Sequence, residues 1–203
     1  MPGFDPLSAE MKWRITMRLD LQETFYHRAD NTFSSGLFAS QLSRFVSSFE
    51  KWPGKRPLLF LCIGSDRVTG DSLGPVIGYK LGKVWGQEIP IIGSLDHPVH
   101  AVNLEQTLEW INSRKDKPIL VAIVASVGVE EHVGCITLSN RPLKPGLAVN
   151  KDLPAVGHIS ITGIVSSRQS DPMFPLHSTS LALVMNLADC ICNGISRFCY
   201  IRR

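Results

Sequence analysis

Nowhere in this chain of 203 residues does an apolar run approach the roughly 20 residues that a bilayer-spanning helix needs. The longest run, around residues 119–129, is interrupted by Ser126 and Gly128. The first residues lack the charged-then-apolar order of a secretory signal. Basic clusters are missing too: nothing exceeds short pairs such as Arg202-Arg203, and the net charge is only +3. These absences speak against a nucleic-acid partner and against a membrane surface. The five cysteines are too few, and odd in number, for a disulfide framework. Cys62 and Cys135 lie inside apolar strand-like runs, as reduced thiols of a cytosolic protein do. Cys190-Ile191-Cys192 has no zinc spacing and no matching His or Cys pair. Gly64, Gly70 and Gly74 do not fit the dinucleotide fingerprint Gly-x-Gly-x-x-Gly, and there is neither a phosphate-binding Gly-Lys-Ser/Thr loop nor a Gly-x-Ser-x-Gly elbow.

What the chain does contain is an ordinary globular balance, 44% hydrophobic and 19% charged residues. Residues 1–34 show no clear period and are expected to form a partly ordered arm with at most a short helix. From residue 35 the pattern sharpens. Leu37, Phe38, Leu42, Phe45, Val46 and Phe49 recur at helical spacing, and Trp52-Pro53-Gly54 stops that helix. Residues 57–63 and 119–125 are continuously apolar, which marks strands covered on both faces, as in a parallel sheet. Further strands are expected over 89–95, 135–138 and 158–165. Helices are expected over 73–85, over 104–113 with Asn103 and Gln106 in a capping box, and over 179–196. Strand and helix alternate without repeats or linkers. The expectation is one domain over 35–203, an α/β fold built as a three-layer α/β/α sandwich.

In such sheets ligands bind beyond the carboxyl ends of the strands. The loop after Ile63 occupies that place and carries Gly64, Ser65, Asp66, Thr69, Gly70, Asp71 and Ser72. Two carboxylates, small hydroxyls and turn-permitting glycines make it the candidate functional centre. Taken locally, Asp71 also suits a helix N-cap and Asp66 a turn.

Residues 61–75 (LCIGSDRVTGDSLGP) closely resemble the opening motif of the YyaC family of sporulation proteins. Further stretches agree in order: 96–104 (DHPVHAVNL), 143–146 (LKPG), 149–154 (VNKDLP) and 161–165 (ITGIV). The likeness spans about residues 57–192. That family is similar to the spore germination protease and, more distantly, to the hydrogenase-maturation endopeptidases. The resemblance implies a phosphorylase/hydrolase-like sandwich and a peptidase acting during sporulation or germination. It implies small acid-soluble spore proteins as substrate and the cytoplasm of the sporulating cell or forespore as its place.

In the germination protease, catalysis is attributed to two aspartates. Asp71 matches the first. The second should end the strand over 122–128 (AIVASVG), where Val124 stands instead. Valine can neither hold a proton nor bind water, so a carboxylate pair cannot form there. The alternatives are an inactive form, a substitute second acid in Asp66, or a non-catalytic module that recognises a spore protein or peptide on a protease fold.

The remaining candidates are substrate-binding groups. His97 and His100 follow the second sheet strand and are expected to make loop hydrogen bonds; a metal site with Asp66, Asp71 or Asp96 is the other use of such a pair. Lys151 could steady charge on a cleaved carbonyl, or simply sit in a turn. No metal and no cofactor is expected. The apolar segment 198–201 suggests a homodimer surface.

Overall fold

The computed structural model describes residues 22–50, 56–145, 154–167 and 174–203. Its strands are β1 (Thr24–Arg28), β2 (Leu58–Cys62), β3 (Ile91–Ile92), β4 (Ile119–Gly128), β5 (Cys135–Ser139) and β6 (Ile159–Ser167). Its helices are α1 (Ser35–Phe49), α2 (Leu73–Trp85), α3 (Leu104–Ser113), the single turn α4 (Phe174–His177) and α5 (Leu181–Arg202). The strands form one sheet in the order β1-β5-β6-β4-β2-β3. β3, β2, β4 and β6 are mutually parallel; β5 runs antiparallel to β6, and β1 antiparallel to β5.

Side chains of successive strand residues point to opposite faces. In β2, Phe60 and Cys62 join a core cluster with α1, α2 and α5, whereas Leu59 and Leu61 join a second cluster with Leu104 and Ile111 of α3. The α/β class and the covering of the sheet on both faces agree with the expectation from the apolar runs. Burying each large aliphatic side chain contributes about 1.5–3 kcal/mol, so β2 and β4, buried on both faces, anchor the molecule.

Helix α1 starts at Ser34, whose hydroxyl accepts the Leu37 N–H at 3.2 Å, and buries Phe38, Leu42, Phe45 and Val46. Helix α5 has 22 residues and is long and apolar enough, by length and composition, to cross a membrane. Here Val184, Leu187, Ile191, Ile195 and Phe198 pack into the core, which accounts for its apolar stripe. In the segment over 198–201, Phe198 and Cys199 are likewise interior, and Tyr200 sets its ring edge on Trp85.

Three local expectations are corrected. Thr24–Arg28 is not part of an irregular arm but an edge strand, paired residue for residue with β5 from Thr24 opposite Ser139 to Arg28 opposite Cys135. The strand expected over 89–95 shrinks to Ile91–Ile92. Gly93 turns the chain there with φ +88°, against the Cys62 carbonyl. Asn103 precedes α3 but its side chain does not cap it. The amide is engaged in the preceding turn, described below. The stop at Trp52-Pro53-Gly54 lies outside the described residues.

Helix α2 approaches the sheet closely at Gly78, where a Cβ would lie 1.7 Å from the Gly93 carbonyl oxygen. Gly78→Ala is therefore expected to destabilise the protein by about 1–3 kcal/mol in urea denaturation, the range of overpacking. Gly82, on the same helix but with open space around it, is expected to gain about 0.5–1 kcal/mol on substitution by Ala.

Candidate functional site

The strand order places a topological switch between β2 and β4. From β2 the chain leads through α2 to β3 on one side; from β4 it leads to β5 and β6 on the other. The crevice at the carboxyl ends of two such strands is where open α/β sheets bind ligands. β4 also outruns β2. Its pairing with β2 ends at Ile123 opposite Cys62, while its pairing with β6 continues to Gly128. The loop from Gly64 to Ser72 fills the mouth of this crevice.

Backbone bonds shape that loop. Ile63 donates its N–H to the Ile123 carbonyl at 2.8 Å, and Gly64 donates to the Val99 carbonyl at 2.8 Å. Ile63 and Val99 thus form a parallel bridge that continues the sheet beyond β3. Gly64 takes φ +150°, and a Cβ there would stand 2.0 Å from the Asp71 carbonyl oxygen. The next residue, Ser65, donates its N–H to that same oxygen at 3.2 Å. The loop folds back on itself, and Thr69–Ser72 closes as a turn of 3₁₀ helix before α2.

Within this frame the candidate side chains separate. Ser72 is buried and donates its hydroxyl to the Thr69 carbonyl at 2.7 Å. Gly70 is buried beneath Leu176 of α4. Ser65, Asp66 and His100 face a cleft of about 500 Å³, together with Arg67 and Asp96. Leu95, Pro98 and Val102 form its apolar wall, and Val102 is 81% exposed. His97 sits in an exposed turn, its N–H donated to the Ser94 hydroxyl at 3.2 Å, and is not among the groups lining the cleft. Lys151 lies outside the described residues. Among the described residues no three His, Cys, Asp or Glu side chains converge as a metal-binding group.

Asp71 is the electrostatically unusual group. It is half-buried, and α2 takes Ser72 rather than Asp71 as its N-cap residue. Burial raises its pKa to about 6, against smaller opposing pulls from the Ser65 backbone N–H and from His100. Asp66, five residues earlier in the loop, is exposed. The cysteines contrast with Asp71: burial drives the Cys62 thiol well above its ordinary range and Cys192 up to about 12, so neither is a ready nucleophile. Val124 is 8% exposed and packs with Leu61 and Ile63 in the cluster beneath α3.

His100 is held tightly. Its N–H donates to the Asn103 side-chain oxygen at 2.8 Å, and its Nδ1 accepts the Val102 N–H at 3.3 Å. The Asn103 amide in turn donates to the Pro98 carbonyl at 3.0 Å. The missing cap of α3 is explained by this turn. Arg67 and the apolar wall were not among the sequence candidates. Arg67 stands within the same motif and was legible there; the wall depends on the Ile63–Val99 bridge.

Comparison with known proteins gives this arrangement its relatives. A family model described as "Protein of unknown function (DUF1256)" matches residues 27–194. The chain belongs to the DUF1256 family. Within it, the chain is 39% identical over 158 residues to the "Uncharacterized protein YyaC" of Bacillus subtilis (strain 168), covering 78% of this chain and 77% of that protein. The DUF1256 match takes in the loop, the cleft wall and all strands except the first residues of β1.

The raised Asp71 pKa has a thermodynamic counterpart. Between the ordinary value of 3.8 and the folded value of about 6, the native state binds more protons than the unfolded state, so stability falls as pH rises through that window. Removing the charge is expected to return it. Asp71→Asn should be more stable than the parent by about 2–3 kcal/mol at pH 7.5 and nearly equal to it at pH 4, in paired urea titrations.

Proposed function

We propose that this DUF1256 protein is a peptidase-like hydrolase in which Asp71 serves as the acid–base group and the adjoining cleft holds the peptide. The observation that carries this is a half-buried carboxyl with a pKa of about 6, set at the switch point of a parallel sheet. A group poised near the working pH is what proton transfer needs. In the reaction, ionised Asp71 takes a proton from a water as its oxygen adds to the peptide carbonyl. The tetrahedral intermediate then collapses with the proton delivered to the leaving amine. Asp66, exposed on the cleft wall, is the helper carboxylate that orients the water or a peptide N–H. Ser65 and His100 bind substrate from the same wall. The resemblance to the germination protease supports small acid-soluble spore proteins as substrates and the cytoplasm of the sporulating cell or forespore as the setting.

A second reading is favoured by one observation: Val124 is packed in the core, at the position where the resemblance to the germination protease would put a second aspartate. On that reading the cleft recognises a spore protein or peptide without cutting it.

Incubation of purified small acid-soluble spore proteins with the parent, Asp71→Asn and Val124→Asp separates the two. The hydrolase reading expects cleavage by the parent and a loss of about 10²–10⁴-fold in Asp71→Asn. It also expects kcat/KM to rise with pH through about 6 and then level off, because the base works ionised. Cleavage by Val124→Asp alone, with its fold checked by circular dichroism, would identify a disabled protease. No cleavage by any of them, with retention of the spore proteins on the immobilised parent, would establish the binding module.

A further inference from the structure

Away from the cleft, the chain entries into β2, β4 and β6 meet at one side chain, His158, which immediately precedes β6. Its backbone N–H donates to the Leu120 carbonyl at 2.7 Å, and its Nδ1 accepts the Leu120 N–H at 3.0 Å. The ladder between β4 and β6 begins only at Val121 opposite Ile159, after Gly157 has turned the chain at φ +91°. The ring therefore takes a strand N–H that the ladder does not. On its other side, an Nη2–H of Arg56 points at Nε2 at 3.0 Å. Arg56 stands two residues before β2 and also reaches the segment that leads into β4. Its Nε donates to the Lys117 carbonyl at 2.6 Å and its Nη2 to the Pro118 carbonyl at 3.0 Å. Both ring nitrogens thus face donors. A neutral imidazole has one accepting nitrogen, an imidazolium has none, and a guanidinium cannot accept. Arg56 keeps its two carbonyls whichever nitrogen carries the proton, whereas the Leu120 N–H has Nδ1 as its acceptor. Leaving that buried N–H unpaired costs more, so Nδ1 accepts and the proton sits on Nε2. A second proton has no place: it would displace the Leu120 N–H and set a cation against the guanidinium.

We propose that His158 is an acid-released latch of the sheet: neutral, it ties the entries of β2, β4 and β6 together through Arg56 and Leu120; protonated, it lets go of the Leu120 N–H and repels Arg56. Among the described residues Arg56 is the charged group that faces the ring. Helix α1 presents the ring of Phe49, edge-on at 5.4 Å, and the neighbouring Glu50 is bound by Arg202. In the turn before β4, the Lys117 ammonium donates to the Asn112 carbonyl at 2.9 Å and Asp116 is held by Arg114. Burial and then the Arg56 charge lower the His158 pKa from 6.5, with a smaller opposite pull from the Leu120 main chain. The N–H aimed at Nδ1 itself favours the neutral ring. Below 6.5 the unfolded state therefore binds more protons at His158 than the native state, and stability is lost as pH falls through that window, the reverse of Asp71. Burial lowers His27 as well, against its bond to Gln41, so the latch is read by changing His158 alone. The three strands it joins are those whose carboxyl ends form the crevice, but the latch does not depend on any reaction there.

The test is amide hydrogen exchange of the full chain by NMR between about pH 7.5 and 5.5, expressed as protection factors so that the pH dependence of the chemical step drops out. In the parent, protection of the Leu120 amide is expected to fall by up to about tenfold across that range, because the released ring titrates near its ordinary 6.5. The Val124 amide, later in the same strand, should change less. In His158→Gln, whose side-chain carbonyl can accept the Leu120 N–H but does not titrate, the fall should disappear. Imidazole ¹⁵N shifts of the parent should place the proton of His158 on Nε2 at neutral pH and its midpoint below 6.5. Arg56→Gln should raise that midpoint, a movement that a histidine merely filling space would not show, and it carries the test if His158→Gln does not fold. A Leu120 protection that does not fall, or that falls together with Val124, overturns the latch, and so does a fall that persists in His158→Gln. A proton on Nδ1, or a midpoint unmoved by Arg56→Gln, overturns it as well.

Discussion

The hydrogen bond from the Gly64 N–H to the Val99 carbonyl joins two segments that the sheet would otherwise leave apart. At 2.8 Å it carries the β2–β3 edge one step beyond the short β3, after Gly93 has already turned the chain. Everything at the mouth of the crevice follows from that step. Val99 is docked, so Pro98 and Val102 form a wall and His100 stands beside the loop. Gly64 is held at φ +150°, so the Asp71 carbonyl can rest where a side chain would otherwise be. The site is thus positioned by main-chain bonds, and its side chains occupy places that the backbone has already set. This is the rigidity that a preorganised centre needs.

Asp71 illustrates the opposing demand. The packing that raises its pKa also disfavours its charge, so at neutral pH the folded state carries an unfavourable term that an amide would not. Proteins keep such groups where function uses them, and the local cost is offset by the surrounding core. Here that core is generous: β2 and β4 are buried on both faces, and α5 lays an apolar stripe across one of them. The buried thiols Cys62 and Cys192 are fillers of this core.

The parts of the fold that were legible in the sequence are those governed by local pattern. Residues 58–62 and 119–125 are continuously apolar because a central parallel strand is buried on both faces, and α1 and α5 show helical periodicity because only one side packs. β1 was not legible. As an edge strand it buries only its fourth residue, His27, and it is held by a distant partner ladder and by bonds such as Thr24 Oγ1 to Ser139 Oγ at 3.0 Å. Asn103 followed a capping-box pattern, but tertiary structure recruited its amide to brace His100 and Pro98. At the site, the loop after β2 could be located from the sequence because its position in an α/β sheet is generic. The placing of His100 beside that loop could not, since it rests on the Ile63–Val99 bridge, which no local pattern encodes. The place of Val124 was legible as an apolar residue in a buried strand.

The pairing of β1 with β5 gives the molecule a history as well as an edge. Thr24 and Ser139 are 115 residues apart. At about 5–20 residues per second, a ribosome takes roughly 6–23 s to make the second strand after the first. During that interval β1 has no sheet to join, although β2 and β4 can already begin to pair. β5 in turn reaches the rest of the sheet only through β6, which is made later still, so β1 waits on two later strands and the newborn chain carries an open, hydrogen-bond-hungry segment ahead of its core. In β1 that segment carries Phe25 and Tyr26, which favour strand pairing, and the adjoining His27 and Arg28 are the polar groups that temper pairing with a stranger in the meantime.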